Sequence, residues 1–309
     1  MITSHSMGKT IRIGTRESQL AVWQANLVKE LLFQKGYSAE LVFIKSEGDI
    51  DLKTPLYEIG VQGIFTRALD IALLTGEIDI AVHSMKDVPT LMAKGIVQAA
   101  VLKRASYKDL LVPRPGQVFS DNKGHQVIAT SSIRRKAQWL HRYPNDTIEN
   151  LRGNVNTRLR KVEESGWDGA IFAAAGLERI GLRPDNAIEL DWMLPAPAQG
   201  AVIVVSTDSN TYCMEACGHL HDADTGLCAG IERDFLRALL GGCSTPISAL
   251  AKVEHGHLVF EGNILSKDGK QKKEIFKKAV VRDAKNIGVD AAKELLQNGG
   301  QEILSQFDK

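Results

Sequence analysis

Strand-like apolar runs and segments of helical period alternate along this chain, and the alternation starts over near the middle. IRIGT leads into a helical stretch over 18–34, then come LVFIK at 41–45, a helix near 64–74, IDIAVHS, and VQAAVLKR at 97–104. After a turn-rich stretch at 113–124 the order resumes with QVIAT, a helix over 132–142, TIENLRG, a helix over 154–165, and DGAIFAAA. Strands interleaved with amphipathic helices predict a sheet covered by helices, and the restart predicts a second α/β domain. In the first helix Leu20, Trp23, Leu27, Leu31 and Leu32 fall on one face, which is expected to be buried.

The remainder reads differently. AVIVVST, after PAPAQG, has the apolarity of a strand, but periodicity cannot say which sheet it joins. A helix near 224–240, a turn at GGC, the strand-like SALAKVEH, HLVFEGNIL and KEIFKKAVV, and a helix near 285–296 predict a smaller α+β domain. With 309 residues, 44% of them hydrophobic, the chain has material for two or three cores.

A net charge of +1, from 38 basic and 37 acidic side chains, gives no overall field that would recruit a polyanion, so any anion site has to be local. No run of 18 apolar residues exists, so no membrane span is expected. The segment MITSHSMGKT has neither a signal core nor the arginines of a transit peptide, and a cytoplasmic location is expected. Cys213, Cys217 and Cys228 lie close together and Cys243 stands in a glycine-flanked turn, a poor match to a disulfide scaffold. Cys213 and Cys217 can share a helix face. Their spacing with His219 and His221 follows no finger or ribbon pattern, and no metal is expected.

Polar residues suited to chemistry gather where strands end. Gly14-Thr15-Arg16-Glu17-Ser18 occupies a strand-to-helix turn, where helix N–H groups are left open and Arg16 adds a planar fork for a carboxylate. Thr130-Ser131-Ser132 precedes Arg134 and Arg135. Arg152 and Arg158 flank Asn154, itself a good helix cap, and Arg179 lies in AAAGLERI. Any single arginine here is explained as a solvated surface residue. Their repeated placement at strand-to-helix transitions favours an acidic ligand, although convergence does not follow from sequence. A phosphate-binding enzyme stays open on these residues alone, without GxxxxGK[ST] or a well-placed GxGxxG to support it.

His83-Ser84-Met85-Lys86-Asp87 follows the buried-looking IDIAV, where open α/β sheets place working groups. Asp87 can steady a developing cation and move protons, and Lys86 can anchor a carboxylate; a structural Lys-Asp pair is the alternative. His83 reads as packed or hydrogen bonded. Cys243, in Gly241-Gly242-Cys243-Ser244-Thr245-Pro246, has no neighbouring histidine to activate it. That leaves an inert buried thiol or a permanent attachment point.

Taken together, RIGTRESQLAVWQA, DIAVHSMKDVPT, ATSSIRR, LRGNVNTRL, AAAGLERI, PAPAQGA and LLGGCSTPI resemble, in family order and over most of the chain, the hydroxymethylbilane synthase (porphobilinogen deaminase) family. The resemblance implies two similar α/β domains around a cleft, at 10–103 plus 200–218 and at 107–195, with an α+β cofactor-attachment domain at 222–309. It implies a dipyrromethane cofactor held through a thioether to Cys243. On it porphobilinogen units are condensed with loss of ammonia, and hydrolysis releases linear hydroxymethylbilane after four additions.

On this resemblance Asp87 is the catalytic carboxylate. Ser84, Lys86, Thr130, Ser131, Arg134, Arg135 and Arg158 meet the cofactor, and Arg16, Ser18, Arg152, Arg179, Gln199 and Gly200 meet the substrate, with Gln24 in support. It also implies a cytoplasmic monomer in haem biosynthesis, without nucleic acid or membrane. The product would pass to uroporphyrinogen-III synthase, direct contact left open. Two departures stand out. Glu58 and Gln62 occupy positions where the family's flexible segment offers lysines, and PAPAQG carries Ala198 where the usual form ends in GQG.

Overall fold

The computed structural model describes residues 9–45, 66–117, 119, 124–239 and 245–307. Of these, 9–45, 66–104 and 201–226 form one compact unit, and those within 105–200 and 227–307 form another. Among the described residues no helix is long and apolar enough to cross a membrane.

The first unit holds β1 (Ile11–Thr15), α1 (Gln19–Gln34), β2 (Ala39–Phe43), α2 (Arg67–Leu74), β3 (Ile80–Ser84) and β4 (Ile96–Val101). The second holds β5 (Asp109–Pro113), β6 (Val127–Ala129), α3 (Ile133–Arg142), β7 (Thr147–Glu149), α4 (Val155–Glu164), β8 (Gly169–Ala173), α5 (Ala174–Glu178) and β9 (Ile188–Glu189). The chain then supplies β10 (Val202–Thr207) and α6 (Thr211–Gly218) to the first unit. The order of the first sheet is β2-β1-β3-β10-β4: β1 runs parallel to β2 and β3, and β10 runs antiparallel between β3 and β4. A strand buried on both faces reads as a continuous apolar run, which is why AVIVVST shows no alternation.

The buried stripe of α1 meets the expected one only at Leu32. Gln24, Ala25, Val28 and Leu32 are buried, whereas Leu27 and Leu31 flank the core half-buried. The small side chain of Ala25 lets the helix approach the sheet, and the larger leucines cover its sides. Gly14 allows close packing of a different neighbour, α2, since a Cβ there would lie 2.2 Å from Ile78 Cδ1 and 2.9 Å from Leu69 Cδ2. Helix α6 realises the shared face that the spacing of Cys213 and Cys217 allows. It turns Cys213, Ala216 and Cys217 into the core of this unit, and burial pushes the two thiols up to about 11 and about 12.

The second sheet has the order β7-β6-β8-β5-β9, with β5 antiparallel to β8 and β9. DLLVP was not anticipated as a strand, because all five residues are buried and no alternation marks them. TIENLRG is strand only over Thr147–Glu149, and the end of DGAIFAAA enters α5. The C-terminal part comprises α7 (Ala223–Ala238), the antiparallel sheet of β11 (Ile247–Glu254), β12 (His257–Leu265) and β13 (Lys272–Val280), then α8 (Ile287–Leu295) and α9 (Gln301–Leu304). Phe235 of α7 packs on Phe260 and lies against Gly262, where a Cβ would approach to 2.7 Å. The whole is a mixed α/β fold with two five-stranded sheets and a smaller α+β region.

Candidate active site

Strand β3 is pinned where it begins. Asp79, just before it, accepts from Arg12 Nε at 2.9 Å, Arg12 Nη2 at 3.0 Å and Lys9 Nζ at 2.8 Å. Burial alone would raise this carboxyl, but the donors outweigh it and hold it well below the usual carboxylate range. At the other end Ser84 Oγ accepts from Gln24 Nε2 at 3.0 Å, and one turn of 3-10 helix, Met85–Asp87, follows. Asp87 is exposed and has no hydrogen-bond or ion-pair partner among the described residues; Lys86 beside it is half-buried. His83 lies buried within the strand, its Nε2 without a partner among the described residues, and burial, then the charge of Arg16, pushes its pKa down to about 4. It is therefore neutral, as a packed histidine should be. Arg16 is half-buried in the turn after β1, and Ser18 caps α1 by accepting from Ala21 N–H at 3.4 Å.

In the second unit Ser132 caps α3, accepting from Arg135 N–H at 3.4 Å, and Thr130 Oγ1 accepts from Ser132 N–H at 3.2 Å. Thr130, Ser131, Ser132, Lys136 and Glu149 border a small cavity of about 50 Å³. Arg134 and Arg135 are not on the surface: they are 5% and 6% exposed and both engage Asp109, which is fully buried. Arg134 Nη2 donates to Asp109 Oδ2 at 2.7 Å, and Arg135 donates to Oδ1 from Nη2 at 2.7 Å and from Nε at 3.1 Å. Gln199 Nε2 reaches the same Oδ1 at 2.9 Å and Tyr107 O at 2.8 Å. Nothing in DLLVP marks Asp109 as more than the start of a strand, so sequence reasoning missed it.

Asn154 caps α4, as expected, by accepting from Thr157 N–H at 2.9 Å. Arg158 Nε donates to Gly153 O at 2.7 Å, Arg152 is buried, and Lys161 Nζ donates to Arg152 O at 3.1 Å. Arg179 Nη2 donates to Gly200 O at 2.7 Å, and burial lowers its pKa to about 10. Gly200 has φ 86°, and a Cβ there would lie 2.6 Å from Ser106 O, so only glycine fits. Ala198 has φ 62°, a left-handed conformation that costs alanine roughly 1–2 kcal/mol. Its N–H donates to Glu232 Oε2 at 2.6 Å.

The structure thus gathers Arg134, Arg135 and Gln199 about Asp109, joins Arg179 to Gly200, and sets Ser84 beside Gln24. Cys243, and Glu58 and Gln62 of the departing segment, lie outside the described residues. Among the described residues no group of three or more His, Cys, Asp or Glu side chains is arranged to hold a metal ion.

Two guanidiniums share one carboxylate, and Arg134 Nε, buried, has no acceptor among the described residues. With the hydroxyls of Thr130 and Ser131 at the adjoining helix start, this donor set fits a ligand rich in carboxylates. Fold and donors together describe an α/β protein with arginines and hydroxyls set at its strand-to-helix turns.

The chain belongs to the porphobilinogen deaminase family. Residues 11–215 match the family's dipyrromethane cofactor-binding domain and residues 226–297 its C-terminal domain. The porphobilinogen deaminase of Syntrophotalea carbinolica is 41% identical over 302 residues, covering 96% of either chain. That of Pelotomaculum thermopropionicum is 42% identical over 305 residues, covering 97% of either chain. Among solved structures, the methionine binding protein MetQ aligns over 70% of this chain and 91% of its own, at 14% identity and a TM-score of 0.43, too slight a likeness to inform fold or activity.

Proposed function

We propose that this chain condenses porphobilinogen, with loss of ammonia at each of four additions, onto a protein-held dipyrromethane and releases linear hydroxymethylbilane by hydrolysis. Family membership over nearly the whole length supports the reaction. The structural observation that carries the reading is the state of Asp87. Asp79, Asp109, Asp146 and Asp168 each accept from protein donors, whereas Asp87, at the exit of β3, stands exposed and uncommitted among the described residues. A carboxylate left open at a strand exit can accept from pyrrole N–H groups, oppose positive charge developing on the ring, and carry a proton away.

Bound dipyrromethane supplies the pyrrole carbon to which the first unit is added, and every pyrrole brings an acetate and a propionate. On this reading Arg134, Arg135, Arg158, Lys86, Ser84, Thr130 and Ser131 hold the acids of the cofactor. Arg16, Ser18, Arg152 and Arg179 take those of the incoming unit, and Gln199 and Gly200 belong to the loop that orders this set. Ser84 Oγ accepts from Gln24, which leaves its own hydrogen to donate. Ser18 keeps its hydroxyl hydrogen in the same way while its oxygen caps α1. The proposal extends to a cytoplasmic monomer that hands its product to uroporphyrinogen-III synthase; light scattering at one chain mass checks the monomer.

Intact mass of the purified protein tests the core of the reading. A two-pyrrole addition is expected in the native chain and should be missing from Cys243→Ser. A native chain of bare mass that consumes porphobilinogen at full rate would overturn it.

A further inference from the structure

Asp109 has no task in the reading above, yet Arg134, Arg135 and Gln199 all meet at it. A buried carboxylate with several donors is ordinarily folding glue, and burial alone does not argue otherwise. The way the two guanidiniums are held does. Consecutive helix residues point about 100° apart, so the side chains of Arg134 and Arg135 reach one carboxylate only by curling toward it. Each is tethered a second time: Arg134 Nη1 donates to Leu194 O and Arg135 Nη1 to Ile171 O, both at 2.8 Å. Two fixed points set the plane of a guanidinium, and with it the direction of every remaining N–H.

Charge makes the same point. One carboxylate against two guanidiniums leaves a net positive charge. A second carboxylate would cancel the attraction for an anion, and none would leave two like charges buried side by side, which is costly. Burial pushes the pKa of Arg134 down, and the charge of Asp109 opposes that shift. Arg134 Nε is the visible remainder, a rigid donor without an acceptor among the described residues.

We propose that Asp109 is a positioning residue, which fixes the planes of Arg134 and Arg135 so that their remaining N–H groups are held ready for ligand carboxylates and leaves the pair one net positive charge with which to bind them. This rests on the reading that the two arginines hold acidic pyrrole side chains.

Asp109→Glu is the decisive variant, since it keeps the charge but displaces both guanidiniums by roughly 1 Å, enough to matter where geometry is tight. This variant, with an unfolding temperature near that of the native chain, is expected to carry the two-pyrrole mass in at most a tenth of its folded molecules. Asp109→Asn, which removes the charge, is expected to lower the fraction of folded protein that carries the two-pyrrole mass. A purely structural Asp109 would lower the unfolding temperature of these variants and leave the mass-loaded fraction of folded protein unchanged; that result overturns the proposal. Should Asp109→Asn not accumulate folded, the glutamate variant decides. Arg134→Gln and Arg135→Gln separate the two levels. A native mass-loaded fraction in both would sink the underlying reading, whereas a lowered fraction there with a native fraction in Asp109→Glu would sink the role of Asp109 alone.

Discussion

At the entry to β3 Asp79 is held by Arg12 and Lys9, while at the exit Asp87 stands exposed and without a partner among the described residues. The same contrast holds between units: Asp109, opening β5, is buried under two arginines and a glutamine. Chemically these are one functional group, and surroundings divide their labour. A carboxylate whose oxygens are saturated by fixed donors keeps its charge and orients its neighbours, but it has little left with which to accept a proton. One left open can accept from a ligand and stabilise charge that appears only during reaction.

The sharpest way to break this contrast is Asp87→Asn. Turnover of the holoenzyme is expected to fall by roughly 10²–10³-fold, the scale of losing a charge-stabilising group in an active site, with the cofactor mass retained and the unfolding temperature unchanged. Near-native turnover in the purified variant would end the assignment. A second effect lies between the two ends of the strand, at His83. Its folded pKa is depressed to about 4, so its contribution to stability is complete above the unfolded value near 6.5 and is lost as pH falls from there toward 4. The loss is expected to be roughly 3 kcal/mol. Urea unfolding between pH 7 and pH 4 should show it in the native chain and a flatter profile in His83→Gln; equal slopes would mean that the imidazole is hydrated.

The smallest effect concerns the loop that delivers Gln199 to Asp109. Ala198→Gly removes a left-handed strain of about 1–2 kcal/mol but adds backbone freedom to the unfolded chain worth about 0.4–1 kcal/mol. A net stabilisation of about 0.5 kcal/mol by chemical denaturation is expected; destabilisation would show that Glu232 holds that N–H at no conformational cost.

Much of this was legible because it is local. Asn154 caps its helix as such a residue does at a strand-to-helix turn, and Asp87 follows an apolar strand at the place where open sheets expose side chains. What was missed depends on distance or on missing periodicity. Asp109 meets Arg134 across 25 positions of sequence, from a strand with no alternation to announce it. Arg134 and Arg135 read as outward-reaching side chains because a sequence does not show a buried counter-ion. The stripe of α1 was misjudged for a related reason: large apolar residues draw the eye, while the close contact is made by Ala25 and Val28. Family resemblance supplied what local chemistry did not, above all the significance of Cys243.

The late return of β10 has a consequence for synthesis. In the first sheet β4 pairs, among the described residues, with β10 alone, so a nascent chain that has already emerged through residue 101 still lacks that strand's neighbour until about a hundred more residues have left the ribosome. Every strand of the second sheet, 109–189, is available before then. Vectorial production usually completes N-terminal domains first; here the part that begins first is the one that must wait, with an apolar edge awaiting its partner meanwhile.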